Sequence, residues 1–335
     1  MFYSAILFFS KDLFSTINYR LINKGVSRKM FKVFERYDVR LLEGAIDLHV
    51  HPAPDLLARS LDAIELAEQA AAVGMRAIVF KCHFFPTVFM AYFARKAVES
   101  NVDVFGGIVL NHYVGGFNPH AVEASIKAGG KIVWMPTISA ANHIHYYKGL
   151  KSKEWGLKGL ELKSRGIGLS PINKKDEITP SVEEILGIIA DTNRVLATGH
   201  LSVHEIEVLV EEAKSLGVRK ILINHPAFRV VNMPIGKQKE LAKKGAYIEH
   251  VFLLLTPMWY TMSPGDMVKM IKDVGIEHSI IATDLGQIHN PSPIEGLRVF
   301  IQILLENGLR PHEVKSLVVK NPANLLGIKI RKSEN

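Results

Sequence analysis

The chain has 335 residues, of which 48% are hydrophobic and 22% are charged, so it can bury a large core and lacks the composition of a disordered protein. Its single cysteine, Cys82, excludes an intramolecular disulfide and a structural zinc site built from cysteines alone. No stretch approaches the roughly 18–20 apolar residues that a membrane-spanning helix needs, so we do not expect a membrane protein.

The net charge of +8 is concentrated in residues 1–40, which contain eight Lys or Arg and three Asp or Glu. No zinc finger, helix-turn-helix or RNA-binding motif accompanies this basic segment, so nucleic-acid binding is not expected. The apolar run at 1–9 lacks the charged start and clear cleavage site of a secretory signal, which favours a cytoplasmic protein. We expect residues 1–40 to be a peripheral or poorly ordered extension, followed by one barrel over residues 41–335.

From residue 45 the chain repeats one pattern, in which a short apolar run ends in polar residues and an amphipathic stretch follows. Eight such runs are predicted strands: 45–51, 76–83, 103–112, 131–137, 194–200, 220–225, 246–252 and 279–284. Among the amphipathic stretches, 61–74, 204–217 and 265–275 each end in glycine, the residue that best tolerates the left-handed conformation beyond a helix end.

Eight strand-helix units at this spacing predict an α/β fold of the (β/α)8 TIM-barrel type. The alternative is a doubly wound open sheet, which would need a glycine-rich phosphate turn after the first strand, where HVHPAPD stands instead. One long interval indicates an insertion between the fourth and fifth strands, at about 143–180, with a β-hairpin near its end.

Ionisable residues collect at the carboxyl ends of the predicted strands, where such barrels carry their active sites. Ten of the 14 histidines, counting His289, fall on this rim. Strand side chains alternate between faces, so His49 and His51 point the same way and could chelate a divalent ion. His200, His225 and Asp284 end later strands, and together these five residues predict a metal site.

With these motifs the chain resembles the amidohydrolase superfamily of metal-dependent hydrolases over residues 45–328. The resemblance includes D-L-H-V-H at the first strand, T-G-H at the fifth, N-H-P at the sixth, A-T-D at the eighth and the closing N-P-A-N-L-L-G-I. It implies that His49, His51 and Asp284 bind a buried metal and that His200 and His225 bind a second one. It also implies that Asp284 takes a proton from the attacking water and passes it to the leaving group.

The chain departs from this family in one respect. Binuclear members commonly bridge their metals with a carboxylated lysine or a glutamate from strand 3 or 4, whereas here those strands end in Asn111–His112 and Met135–Thr137. Alternation turns Lys81, at the end of the second strand, towards the barrel interior. Lys81 is therefore either a bridging carbamate or an unmodified amine that contacts substrate, in which case the site could hold one metal.

Five further residues are candidates for substrate contact: His83, His112, His143, Arg229 and His250. Cys82 is expected to be a packed small side chain rather than a nucleophile.

The sequence thus predicts a hydrolase acting on an amide, cyclic amide, ester, lactone or phosphoester bond of a small molecule. A metal-dependent decarboxylase and a barrel without activity are the alternatives. Zinc is the expected ion, with Mn, Fe, Co or Ni compatible with the same ligands, and association of the chain into a homo-oligomer is left open.

Overall fold

The computed structural model describes residues 37–148 and 167–330. The chain divides after Tyr37 into two units, and the second, residues 38–335, contains the strands and helices of the barrel. The expectations for residues 1–36 therefore lie outside the described residues. None of the helices in the described part is long and apolar enough to cross a membrane.

All eight predicted strands are present, and most of them end before the polar residues that close the sequence motif, whereas the first includes His49 and the seventh includes His250. The described residues contain nine strand segments: β1 (Ile46–Val50), β2 (Ala77–Phe80), β3 (Asp103–Phe105), β4 (Gly107–Val109), β5 (Ile132–Trp134), β6 (Val195–Ala197), β7 (Lys220–Ile223), β8 (Tyr247–Val251) and β9 (Ser279–Ala282). Because the strands are short, the candidate ligands His51, His200, His225 and Asp284 stand in the loops just beyond them.

The helices lie between the strands, as the sequence pattern predicts. Those described are α1 (Tyr37–Arg40), α2 (Ala63–Ala72), α3 (Val88–Ala97), α4 (Pro119–Lys127), α5 (Ala141–Lys148), α6 (Pro180–Thr192), α7 (Val203–Ser215), α8 (Ile235–Lys243), α9 (Pro264–Val274), α10 (Pro293–Glu306), α11 (Pro311–Lys315) and α12 (Asn321–Leu326). Capping boxes fix the starts of three of them: Asp62 with Glu65 at α2, Ser202 with Glu205 at α7, and Ser263 with Asp266 at α9.

All strand pairings are parallel, in two ladders of order β1-β2-β3 and β4-β5-β6-β7-β8-β9. The third predicted strand is divided between the ladders at Gly106. A side chain at Gly107 would collide with the carbonyl oxygen of Ile132, and the Thr87 hydroxyl fills the gap by accepting a hydrogen bond from Gly107 N at 3.0 Å and donating one to Phe80 O at 2.7 Å. β3 and β4 are thus two halves of one barrel strand.

The last strand returns to the first. Asp284 N donates to His49 O at 2.9 Å and His51 N donates to Leu285 O at 2.8 Å, while Val50 and Leu285 form a parallel bridge. These backbone bonds join the end of β9 to β1, so the (β/α)8 barrel predicted from the sequence is confirmed.

Alternating strand residues separate the barrel interior from the outer layer. Trp134 and Leu222 belong to an interior cluster, whereas their neighbours Val133 and Ile221 pack in an outer cluster with helix residues. Helix α12 contributes Ala323, Leu325 and Leu326 to the interior cluster. The register of β1 shifts between Asp47 and Val50, so that both Ile46 and Leu48 join the apolar interior while His49 and His51 face the opposite, polar end.

The predicted insertion is described in part. Helix α5 follows β5, Ala140 pairs with Leu169, and Ile172 forms an antiparallel bridge with Ile178 just before α6. Residues 149–166 of the insertion lie outside the described residues.

Candidate metal centre and active-site cavity

The five side chains predicted as metal ligands meet at the carboxyl-terminal mouth of the barrel. His49 lies on β1 and His51 follows it, His200 follows β6, His225 follows β7, and Asp284 follows β9. None of the five residues is more than 9% exposed. Polar and charged groups that are this deeply buried require bonding partners. The distances between them therefore indicate which partners each group has.

Three of these residues converge on a single point. The Nε2 atom of His49 lies 3.0 Å from Oδ1 of Asp284, and the Nε2 atom of His51 lies 3.1 Å from the same oxygen. Ligand atoms about 2.0–2.2 Å from a common ion lie roughly 3 Å from one another, so this spacing suits a divalent cation. Two imidazoles and a carboxylate are also donors that first-row divalent metals accept.

A second pair of imidazoles stands beside the first. The ring centroid of His225 lies 5.7 Å from that of His49 and 5.1 Å from that of His200. The Nδ1 atom of His225 is buried and has no hydrogen-bond partner among the described residues. An unsatisfied buried polar atom costs about 1–3 kcal/mol, and a metal ion bound at this nitrogen would remove that cost. The donor set therefore fits the metals that the sequence predicts.

The backbone before His200 is fixed by a glycine. Gly199 has a φ of +60°, and a side chain there would collide with the carbonyl oxygen of Met135. Its N–H donates to Asn224 Oδ1 at 3.0 Å, which connects the T-G-H turn after β6 to the N-H-P turn after β7. The glycine of T-G-H thus places His200 next to His225.

Glu249, on β8, determines the orientation of His49, although the sequence analysis did not single it out. Its Oε1 lies 3.2 Å from Nδ1 of His49, while its Oε2 accepts hydrogen bonds from Asn224 Nδ2 at 3.0 Å and from His225 N at 3.1 Å. A carboxylate that holds the hydrogen of one ring nitrogen leaves the lone pair of the other available to a metal. Burial alone would raise the pKa of Glu249, but His49 outweighs it and lowers that pKa to about 2, so Glu249 is ionised.

Lys81, which follows β2, also lies next to His49. It faces the barrel interior, as the alternation of strand side chains predicts. Its side chain is buried, with Nζ 2.9 Å from Nε2 of His49 and 5.8 Å from the ring centroid of Trp134. Burial lowers the pKa of Lys81, although Asp284 and Glu249 act in the opposite direction. Lys81 is thus the one lysine among the described residues that lines the cavity.

Burial also decides the charge of most imidazoles. It lowers the pKa of His51 and of His200 well below the usual value, and that of His225 to about 4. These rings are neutral at pH 7 and have lone pairs for a metal. His49 differs, because Asp284 and Glu249 outweigh its burial and raise its pKa to about 9.

The strand ends that lack the family's bridging lysine or acid form a neutral network instead. Asn111 accepts hydrogen bonds from the backbone N–H groups of Thr137 and Ser139, and its Nδ2 donates to Thr137 Oγ1 at 2.8 Å. Thr137 Oγ1 in turn lies 2.9 Å from Nδ1 of His83. The hydrogen bonds of Asn111 and Thr137 thus hold His83 at the cavity.

A cavity of about 180 Å³ opens above these residues. The predicted ligands His51, His200, His225 and Asp284 line its floor together with Lys81 and His83. The same cavity is also lined by six apolar side chains, those of Leu57, Phe228, Leu253, Met258, Trp259 and Ile288. The space is suited to a small molecule with one apolar part.

Of the five residues predicted to contact substrate, His83 lines the cavity. His143, on α5, is buried directly behind the site, with its ring stacked on that of His200 at a centroid distance of 4.9 Å. In this position it can orient His200.

The structure does not bring the other three to the cavity. His112 begins an exposed turn of 3-10 helix, and Arg229 is exposed and donates to Tyr260 O at 2.9 Å. The Nε2 atom of His250 lies 3.1 Å from Ser279 Oγ. His250 follows Glu249 on β8, and since neighbouring strand residues face opposite sides, only Glu249 can point into the barrel.

Comparison with known protein families shows to which family the chain belongs. A family model described as a family of unknown function, DUF6282, matches residues 44–249. The chain belongs to this family. No curated protein sequence matches it significantly.

Solved structures identify the fold. An amidohydrolase from Pseudomonas aeruginosa matches with a TM-score of 0.58 at 13% identity, over 87% of this chain and 98% of that one. The organophosphorus hydrolase of Deinococcus radiodurans matches with a TM-score of 0.53 at 15% identity, over 87% and 94%. A β-aspartyl dipeptidase from Fervidobacterium islandicum gives 0.53 at 16% identity, over 84% and 72%. The DUF6282 chain therefore has the amidohydrolase fold, which confirms the resemblance inferred from its motifs.

Proposed function

We propose that this DUF6282 protein is a metal-dependent hydrolase that cleaves an amide, cyclic amide, ester, lactone or phosphoester bond of a small molecule. The observation that carries the proposal is the meeting of His49, His51 and Asp284 on one point at the floor of a cavity. The fold supports it, because the similar structures are those of an amidohydrolase, an organophosphorus hydrolase and a dipeptidase.

In this proposal His49, His51 and Asp284 hold the more buried ion, and His200 and His225 hold a second. Zinc is the expected metal, and the same imidazole and carboxylate donors accept Mn, Fe, Co or Ni. A divalent ion bound there would polarise the substrate's oxygen and lower the pKa of a water ligand from 15.7 towards about 7.

Asp284 is the proposed proton-transfer group. Burial alone would raise its pKa, but His49 and the hydrogen bonds from both imidazoles lower it well below the usual value, so the carboxylate is ionised. It also lines the cavity, where it can accept a proton from the attacking water. Passing that proton to the leaving group would return Asp284 to its starting state.

Lys81 is proposed to bridge the two ions as a carbamate. Its pKa is lowered by burial, which increases the fraction of free amine that can react with CO2. As a carbamate, Lys81 would supply an anionic pair of oxygens as ligands for the ions. As an unmodified amine, Lys81 would instead donate a hydrogen bond to the substrate.

The first test is metal analysis of the purified protein together with its intact mass under native and acidic conditions. Two ions per chain and an acid-labile increment equal to one CO2 support the binuclear, carbamate-bridged site, whereas one ion and no increment support the amine. A protein that takes up none of these metals at neutral pH contradicts the proposal.

The second test identifies the reaction. Turnover in ¹⁸O-labelled water should place the label in the product of a hydrolase. Release of CO2 without incorporation of the label would instead identify a decarboxylase.

A further inference from the structure

Arg59 is a charged residue that the proposed hydrolytic roles do not use, and it lines the cavity. Its side chain is only 2% exposed, and that of its partner Asp55 is fully buried. Arg59 Nε and Nη2 both donate to Asp55 Oδ2, at 2.9 Å and 2.8 Å. The other oxygen of Asp55 accepts from Leu57 N at 3.1 Å. The guanidinium is therefore held by one edge in the loop that follows β1.

The other edge of the guanidinium is available. Arginine has five N–H donors, and Nη1 of Arg59 makes no hydrogen bond within the described part of the chain. The remaining contact is that of Nη2 with Nδ1 of His51, at 3.5 Å. When Nε2 of His51 gives its lone pair to a metal, its Nδ1 carries the ring hydrogen and cannot accept from Arg59. A metal-loaded site thus leaves Nη1 and the second N–H of Nη2 available together, in the fork geometry that binds a carboxylate through two hydrogen bonds.

The rest of the cavity defines what that anion would be attached to. Apolar side chains, among them Phe228, Leu253 and Trp259, line the same cavity as Arg59 and the ligand cluster. A ligand that satisfies both kinds of lining has an apolar group and a negatively charged one.

We propose that the substrate is an amphipathic organic anion, whose carboxylate binds the free edge of Arg59 and whose apolar group packs against the apolar side chains that line the cavity. This inference rests on the proposed function, because the bond to be cleaved must then lie over His49, His51 and Asp284. Asp55 is a positioning residue, which holds the guanidinium with its free edge towards the cavity.

The competing explanation is that the Asp55–Arg59 pair only fastens the loop after β1. The two explanations predict different effects of Asp55→Asn. If Arg59 binds an anion, loss of the carboxylate that positions the guanidinium weakens the binding of an anion at Arg59 and leaves the binding of ligands without that anion unchanged. If the pair is only a fastener, the variant loosens the loop and weakens the binding of every ligand alike.

The test compares two probes, benzylsuccinate and 4-phenylbutanoate, which share a phenyl group and one carboxylate, while benzylsuccinate has a second carboxylate. Because both can place one carboxylate on a metal, the ratio of their dissociation constants isolates the second. Calorimetry on metal-loaded wild-type protein should show benzylsuccinate bound roughly 10- to 100-fold more tightly, the usual effect of charge-assisted hydrogen bonds.

Arg59→Gln should abolish this preference while 4-phenylbutanoate binds as before, and Arg59→Lys should retain part of it. Arg229→Gln is the matched control, because it removes an exposed arginine that does not line the cavity, and it should leave the preference unchanged. If Arg59→Gln does not fold, the variants Asp55→Asn and Arg59→Lys alone test whether Arg59 binds the carboxylate. Equal binding of both probes by the wild type, or a preference that survives in Arg59→Gln, overturns the inference.

The two proposals fail separately. An Arg59-dependent preference in a protein that hydrolyses nothing contradicts the hydrolase and leaves the anion site standing. Hydrolysis and metal binding without the preference contradict only the anion site.

Discussion

The interior of the barrel differs between its two ends, although the same strands build both. Towards one end, residues such as Ile46, Leu48 and Leu222 form an apolar cluster to which α12 contributes. Towards the carboxyl ends, the same strands lead into His49, Lys81 and other ionisable groups. The ring of Trp134 lies at the boundary, with the Lys81 amine 5.8 Å above its centre.

This difference separates two physical tasks. At the apolar end each side chain stabilises the fold through close packing and burial away from water, and any apolar neighbour of suitable size can serve as its contact. At the polar end each buried group depends on a particular partner, since an unpaired charge or donor there is costly. Substitutions should therefore affect stability at one end and metal binding or turnover at the other.

Asp284→Asn should cause the largest change. The amide keeps the size of the side chain but cannot accept the proton, so we expect kcat to fall by roughly 10²- to 10⁴-fold, the range for loss of a general base. Metal content, measured by mass spectrometry, should stay close to that of the wild type. Asp273→Asn, on the exposed face of α9, is the control. A fully active Asp284→Asn protein would rule out the assigned proton transfer.

Glu249→Gln should weaken metal binding by about 10- to 100-fold, as expected when the partner of a metal-bound histidine is removed. The neighbouring variant His250→Gln is the matched control, since His250 lies against Ser279 rather than the ligands. Competition with a metal chelator measures both affinities. If the two variants lose affinity equally, Glu249 has only a structural role.

Metal affinity should increase with pH. In the metal-free protein the pKa of His49 is about 9, so the ring is protonated at pH 7 and must lose a proton before Nε2 can bind an ion. Below pH 9 the apparent affinity should therefore rise about tenfold per pH unit, with at least one proton released per ion. Calorimetry in buffers of different ionisation enthalpy counts the protons. A flat profile between pH 6 and 8 would show that His49 binds no metal.

Leu222→Ala should leave the polar end nearly unaffected. It creates a cavity in the apolar cluster and should lower the free energy of unfolding by about 2–5 kcal/mol. Metal affinity and kcat per folded molecule should equal those of the wild type, as measured below the melting transition. A loss of metal affinity would show that the two ends are coupled through the interior.

Much of this architecture could be predicted from the sequence. The eight apolar runs and the glycines after helices gave the barrel, because strand burial and helix termination depend on local patterns. The predicted ligands His49, His51, His200, His225 and Asp284 could be placed at one end of the barrel because each lies at or within three residues of the carboxyl end of a strand. The inward direction of Lys81 followed from alternation.

Other features depend on contacts that no local pattern encodes. Alternation on β8 requires that either Glu249 or His250 face inward. The sequence alone does not show which of the two does, because that depends on the register of β8 with its neighbours. Arg59 reaches the cavity only through the path of the loop after β1. The division of the third strand at Gly106 depends on Thr87, from another loop, whose hydroxyl occupies the gap.

The closure of the barrel through β1 has a consequence for biosynthesis. Thr283, which bonds to Asp47, lies 236 positions further along the chain, and the helix that covers Ile46 and Leu48 comes later still. A ribosome therefore releases His49 and His51 long before their partner Asp284 exists. On the proposed function, the set of ligands for the more buried ion is complete only after the last strand of the barrel has been synthesised.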